Sequence, residues 1–121
     1  MGVCIVDDSV ISRDVVKMAL GMANLEIAIE AEDGVDALEK IRSVKTKCEL
    51  YILDINMPRM DGLTLLKEIR KIDASTPVIM LTTETDKTKM ADAKSDGATG
   101  WVVKPFDTEK LLKIVNMVLK R

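Results

Sequence analysis

Asp54 ends a short apolar run, Leu50-Tyr51-Ile52-Leu53, and is followed by Asn56, Pro58 and an Asp61-Gly62 pair that opens a new amphipathic stretch. A carboxylate there is either a cap for the following loop or a reactive group at the carboxyl end of a buried strand, where open α/β sheets bind their ligands. The same juxtaposition recurs along the chain. Asp7-Asp8 follow the apolar run 3–6, Thr82 follows 78–81, and Lys104 follows 98–103. Each residue alone reads equally well as a cap or a solvated loop charge. If the runs are strands of one parallel sheet, their ends share an edge. Three carboxylates, a hydroxyl and an ammonium then converge in one place.

Such a cluster has a definite chemistry. At about 4 Å and an effective dielectric near 20, each pair of like charges costs roughly 4 kcal/mol. Lys104 alone cannot offset that, whereas a hard divalent cation with oxygen ligands can. Mg²⁺ takes one or two carboxylates plus waters and phosphate oxygens, and the Asn56 backbone carbonyl, two residues after Asp54, is a further candidate ligand. A carboxylate beside that ion can act as a nucleophile and form an acyl phosphate. The chain has no His, which excludes a Ser-His-Asp triad, a His-based zinc site and a phosphohistidine. A phosphoryl donor would have to be another protein.

The elements that must position these groups are legible as an alternation of short apolar runs and amphipathic ones. Strands are predicted at 3–6, 25–31, 50–53, 78–81 and 98–103. The helix over 10–22 follows Ser9 as N-cap and carries Ile11, Val15, Met18, Ala19 and Met22. The next opens at Asp33-Gly34 with Val35, Leu38, Ile41 and Val44. A third follows Asp61 with Leu63, Leu66, Ile69 and Ile72. The helix over 86–96 is the weakest, with only Met90, Ala91 and Ala93 to bury, and Gly97 is placed to end it in the left-handed conformation. The last is capped by Asp107 and presents Leu111, Leu112, Val115, Val118 and Leu119. Five strand–helix units in series predict one α/β domain over 1–121, with a parallel sheet and helices on both faces.

Composition bounds the function. A net charge of -2 gives no case for nucleic acid or an anionic membrane surface. No apolar stretch is long enough to span a bilayer and no signal peptide precedes the first run, so the expectation is a cytoplasmic protein. Cys4 and Cys48 form no metal-ligand pattern and are expected to be buried, reduced thiols. The eight Met residues read as core and loop filler.

Four motifs in order, VDDS at 6–9, LDINMPRMDG at 53–62, MLTTE at 80–84 and GATGWVVKPF at 97–106, resemble the receiver domain of two-component response regulators, over essentially the whole chain. More narrowly, they resemble the stand-alone chemotaxis regulators. The resemblance implies a doubly wound (βα)5 fold of flavodoxin-like strand order 2-1-3-4-5. It implies Asp54 as phosphoacceptor, Asp7 and Asp8 as the acidic Mg²⁺ pocket with Asp8 a direct ligand, and the Asn56 carbonyl completing the protein ligands. Thr82 becomes the switch hydroxyl and Lys104 the ammonium that meets the phosphoryl group, with Lys104–Pro105 a cis peptide. Asn56 and Glu84 match positions whose side chains tune phosphoryl lifetime. Trp101 stands at the position of the switch aromatic; packing on an edge strand is its other reading. The partners implied are a CheA-like histidine kinase as donor and an output protein such as the flagellar motor switch, bound by a monomer on the face of helix 4, strand 5 and helix 5. No separate substrate turnover is implied.

Three other readings stay open at this level. A stand-alone phosphorelay intermediate shares every motif. A Mg²⁺-dependent phosphohydrolase with an Asp nucleophile usually carries a second acid two residues on, where this chain has Asn56. An FMN-binding flavodoxin-like module needs a hydroxyl- and glycine-rich phosphate loop after strand one, where Asp7-Asp8 would repel the phosphate.

Overall fold

The computed structural model describes residues 2–44, 48–83 and 87–121. Five strands alternate with five helices: β1 Val3–Val6, α1 Val10–Met22, β2 Ile27–Ala31, α2 Gly34–Ser43, β3 Leu50–Asp54, α3 Gly62–Ile72, β4 Val78–Thr82, α4 Lys87–Ser95, β5 Gly100–Val103 and α5 Thr108–Val118. All pairings are parallel, in the order β2-β1-β3-β4-β5. From β1 the chain moves outward to β2 and then returns across β1 to β3. This reversal opens a crevice between the carboxyl ends of β1 and β3.

The three inner strands are apolar and buried on both faces, as a helix-covered parallel sheet requires. Alternate residues feed two separate cores. Cys4, Val6, Tyr51, Leu53 and Met80 pack with Ala37, Leu38, Leu65, Leu66 and Ile69 of α2 and α3. Val3, Ile5, Ile52, Ile79 and Leu81 pack with Val16, Ala19, Leu20, Leu111 and Val115 of α1 and α5. Four helices begin on a side-chain cap: Ser9, Asp33, Asp61 and Asp107 each accept from the backbone N–H three residues on, at 3.2, 2.9, 2.8 and 2.8 Å. Gly97 follows α4 at φ 105, as its position predicts. Cys4 and Cys48 are free and buried. A hydrogen bond between the two thiols, with burial second, pushes Cys4 well above the usual thiol range.

The burial pattern corrects the stripe expected on α1. Val16, Ala19 and Leu20 face the sheet, while Ile11, Met18 and Met22 are 79%, 63% and 63% exposed. Apolar residues lie almost all round this helix, so periodicity alone leaves two stripes to choose between. Packing against Leu111 and Val115 of α5 selects the second. Likewise α3 buries Leu65 beside Leu66 and Ile69 and leaves Ile72 exposed, and Val44 falls beyond the end of α2, also exposed. β2 and β5 each start two residues later than the apolar runs suggest. At β2 the cause is that Leu25 N–H still bonds Leu20 C=O at the end of α1.

One close approach locks β3 to the helix after it. A Cβ on Gly62 would lie 2.1 Å from the Asp54 carbonyl oxygen, and Gly62 N–H donates to Ile55 C=O at 2.8 Å. Only glycine lets α3 start this near β3. Gly62→Ala should therefore destabilise the fold by about 1–3 kcal/mol. Gly21→Ala, where the added carbon meets nothing within 4 Å, should stabilise by roughly 0.5–1 kcal/mol. Urea unfolding of the two variants checks both signs, and equal midpoints would contradict the close approach.

Candidate functional site

The carboxyl edge of the sheet gathers the residues singled out above. β1 and β3 run in register, Val6 beside Leu53, so Asp7 and Asp54 emerge side by side. Asp7 is fully buried, Asp54 is 4% exposed, and Asp8 faces solvent. One oxygen from each of the three carboxylates lies within 4.8 Å of the others. Lys104, carried by the loop after β5, reaches across the sheet edge. Its Nζ is 3.1 Å from Asp7 Oδ2 and 3.3 Å from Asp54 Oδ1. The Lys104–Pro105 peptide is cis, and Lys104 N–H donates to Thr82 C=O at 2.6 Å. The ends of β4 and β5 are thereby joined where Thr82 and Lys104 leave the sheet. Thr82 is buried, and its hydroxyl donates to Thr83 C=O at 3.3 Å.

The electrostatics follow from this crowding. Burial, with the Asp7 charge second, raises Asp54 from an ordinary value of 3.8 to about 7, against the opposing pull of Lys104. Asp7 Oδ1 accepts from Ser9 N–H at 2.9 Å. Asp7 Oδ2 is buried with no aligned hydrogen-bond donor among the described residues, Lys104 lying in ion-pair range but off the bonding direction. A buried, under-satisfied carboxylate oxygen beside two further carboxylates is a hard-oxygen donor set that fits Mg²⁺.

The other expected residues are Asn56, Trp101 and Glu84. Asn56 lies exposed on the β3–α3 loop, its side-chain oxygen accepting from Lys89 Nζ of α4 at 2.8 Å. Trp101 is 38% exposed on β5 and lines a shallow groove of about 320 Å³ with Val103, Lys110, Lys113 and Ile114, none of them a member of the acidic cluster. Glu84 lies outside the described residues.

Supporting contacts were invisible to motif reading. Arg13 of α1 donates to the Asp7 carbonyl and, through Nε, to Glu30 at 2.9 Å, bracing the backbone that presents Asp7. Arg59 forms a fork with the α2 cap, Nε to Asp33 Oδ2 at 2.8 Å and Nη2 to Asp33 Oδ1 at 3.0 Å. That fork holds the Asp33 carboxyl below its usual range. It also secures Arg59 at φ 63, a conformation costly for a side-chain-bearing residue. Gly34 N–H donates to Met60 C=O at 3.2 Å beside it, so the β3–α3 loop is pinned to the β2–α2 turn at two points. The long-range Arg–Asp partner has no local signal. The left-handed residue between Pro58 and Met60 is the one feature a turn analysis could flag.

The family model for the response regulator receiver domain matches residues 3–116. The chain belongs to the response regulator receiver domain family. Curated relatives of this receiver include the chemotaxis protein CheY of Bacillus subtilis, 38% identical over 117 residues that cover 97% of this chain and 96% of the relative. CheY1 of Helicobacter pylori is 36% identical over 121 residues, covering 98% and 97%. Among solved structures, the chemotaxis response regulator CheY4 of Vibrio cholerae superposes with a TM-score of 0.86 at 42% identity, covering 97% of both chains. A chain of the CheX–CheY–BeF3–Mg²⁺ complex of Borrelia burgdorferi superposes with a TM-score of 0.90 at 33% identity, covering 98% of this receiver and 88% of that chain. The strand order expected from the motifs is the one observed, and it is shared with these CheY structures.

The raised Asp54 has a measurable consequence in the metal-free receiver. The unfolded chain gives up this proton near 3.8 and the folded chain near 7, so between those values the folded state holds the extra proton. Stability contributed at low pH is lost as pH rises through the window. Asp54→Asn removes the penalty. Its gain over wild type should be near zero at about pH 4 and about 1–3 kcal/mol at pH 8, read by urea unfolding in the presence of a chelator. A gain independent of pH would mean that the Asp54 acid is not raised.

Proposed function

We propose that this receiver is a chemotaxis regulator of the CheY type. It takes a phosphoryl group from a CheA-like histidine kinase onto Asp54 in the cytoplasm and converts the acyl phosphate into altered partner binding. The observation that carries this reading is the Lys104 ammonium spanning Asp7 and Asp54 at 3.1 and 3.3 Å within a cluster of three carboxylates. Asp7, Asp8, Asp54 and the Asn56 backbone carbonyl would hold Mg²⁺, which when bound neutralises charge on the incoming phosphoryl oxygens and on the carboxylates.

The protein's own groups account for the rest. Asp54 Oδ attacks the phosphorus of the kinase phosphohistidine; the new O–P bond forms as the N–P bond breaks, and the electron pair returns to the imidazole. Lys104, already beside the acceptor, pairs with the phosphoryl group. The Thr82 hydroxyl, which donates to the neighbouring Thr83 carbonyl at 3.3 Å, exchanges that weak contact for a phosphoryl oxygen. Movement of Thr82 draws on the loop leading into α4. That helix buries a single side chain, Ala93, among the described residues, so it resists displacement least.

One neutral and one charge-assisted hydrogen bond supply roughly 2–4.5 kcal/mol, against about 5.5 kcal/mol for a 1:99 to 99:1 inversion. Phosphorylation therefore leaves a mixed population, and binding of the output protein completes the shift. The apolar groove around Trp101 and Ile114, flanked by Lys110 and Lys113, belongs to the α4–β5–α5 face proposed to take that partner, the flagellar motor switch.

Acetyl phosphate with Mg²⁺ should label the wild-type receiver once, and Asp54→Asn should take up nothing; stable labelling of the variant would move the acceptor elsewhere. Emission from Trp101, the only tryptophan, should shift when Mg²⁺ and beryllofluoride are added together. An unchanged spectrum at saturation would remove Trp101 from the switch.

A further inference from the structure

Lys89 stands on the first turns of α4, and its ammonium crosses to the acceptor loop, donating to Asn56 Oδ1 at 2.8 Å. Asn56 is two residues beyond Asp54 and lies on the exposed rim of the site. The bond joins α4 to the loop that follows β3. α4 buries only Ala93 among the described residues, and its other polar ties sit at the far end, where Asp96 pairs with Lys67 at 3.9 Å and the Gly97 carbonyl accepts from Arg70 at 2.8 Å. The near end of the helix is thus held to the phosphorylation loop by an ammonium on a four-carbon stem.

We infer that Lys89 is a positioning residue that prolongs the life of the phosphoryl group on Asp54, by engaging the Asn56 side-chain oxygen at the mouth of the site. This rests on the reading of Asp54 as acceptor. Loss of the group is hydrolysis: a water oxygen bonds to phosphorus, the P–O bond to Asp54 breaks, and Asp54 departs with the electron pair as a carboxylate. Inorganic phosphate leaves, and the surplus proton passes to solvent. The attacking water must be held opposite the breaking bond, which requires an acceptor near the open rim. The Asn56 amide oxygen is such an acceptor. With Lys89 donating to it, that oxygen is engaged by an ammonium and competes less well for the attacking water. The same bond gives α4 a direct mechanical connection to the loop beside the phosphoryl group, separate from the one through Thr82.

The test follows phosphate loss from receiver labelled with acetyl phosphate and Mg²⁺ after the donor is removed. Lys89→Met keeps the stem and deletes the donor; it should lose phosphate about three- to tenfold faster than wild type, the rate equivalent of one net hydrogen bond. Lys89→Arg, which retains a donor, should decay near the wild-type rate. In an Asn56→Ala background, Lys89→Met should add no further acceleration, as expected if the two side chains act through one contact. Wild-type decay in Lys89→Met, or an undiminished effect in the Asn56→Ala background, would overturn the role given to Lys89 and leave Asp54 as acceptor. A wild-type chain that accepts no phosphoryl group would overturn both.

Discussion

Three carboxylates are held together at one sheet edge against their own repulsion, and the rest of the fold is what makes that possible. Asp7 and Asp54 cannot separate, because β1 and β3 are adjacent, in register and sealed between helices on both sides. Asp8 can face water, which is why the cluster stays open on one side. Lys104 offsets part of the charge and cannot offset all of it. Burial, with the neighbouring Asp7 charge second, raises Asp54 to about 7, and one Asp7 oxygen has no aligned donor among the described residues. A site under such tension favours a cation, and after that a group whose negative charge can be shared with cation and ammonium together. Reactivity here is a property of strand order as much as of side-chain identity.

The loops that carry the site are held by contacts of different kinds. Arg13 braces the loop after β1, and the Arg59–Asp33 fork with the Gly34–Met60 bond braces the loop after β3. The loops after β4 and β5 are joined to each other through Thr82 and Lys104. The loop after β4 leads into α4, which buries only Ala93 among the described residues. The charge-holding half of the edge is rigid by these contacts, and the half that would read the charge leads to compliant structure.

Most of the fold and nearly all of the cluster were legible in the sequence, for a definite reason. A parallel sheet announces itself as isolated apolar runs, and the residue just past each run is thereby assigned to one edge. Asp7, Asp54, Thr82 and Lys104 could be placed without coordinates. What could not be read depends on tertiary choice. The buried stripe of α1 was one of two compatible with its periodicity, and only the partner helix decides between Ile11, Val15, Met18 and Met22 on one side and Val16 and Leu20 on the other, with Ala19 common to both. The Arg59–Asp33 fork and the Lys89–Asn56 bond join residues 26 and 33 positions apart. No local pattern predicts a polar contact at that range, because a charged surface residue has many possible partners and periodicity constrains none of them.

The sparse packing of α4 also bears on how such a domain diversifies. A helix whose side chains contribute almost nothing to the core can be rewritten at nearly every position with little loss of folding free energy. Substitutions there are filtered by what they do to recognition, since stability hardly registers them. The acidic edge, by contrast, is embedded in elements where a single added methyl group, as at Gly62, meets backbone. One molecule thus carries a half that resists change and a half that tolerates it. A lineage that duplicated this chain could redirect its signal to new listeners while inheriting the receiving chemistry intact.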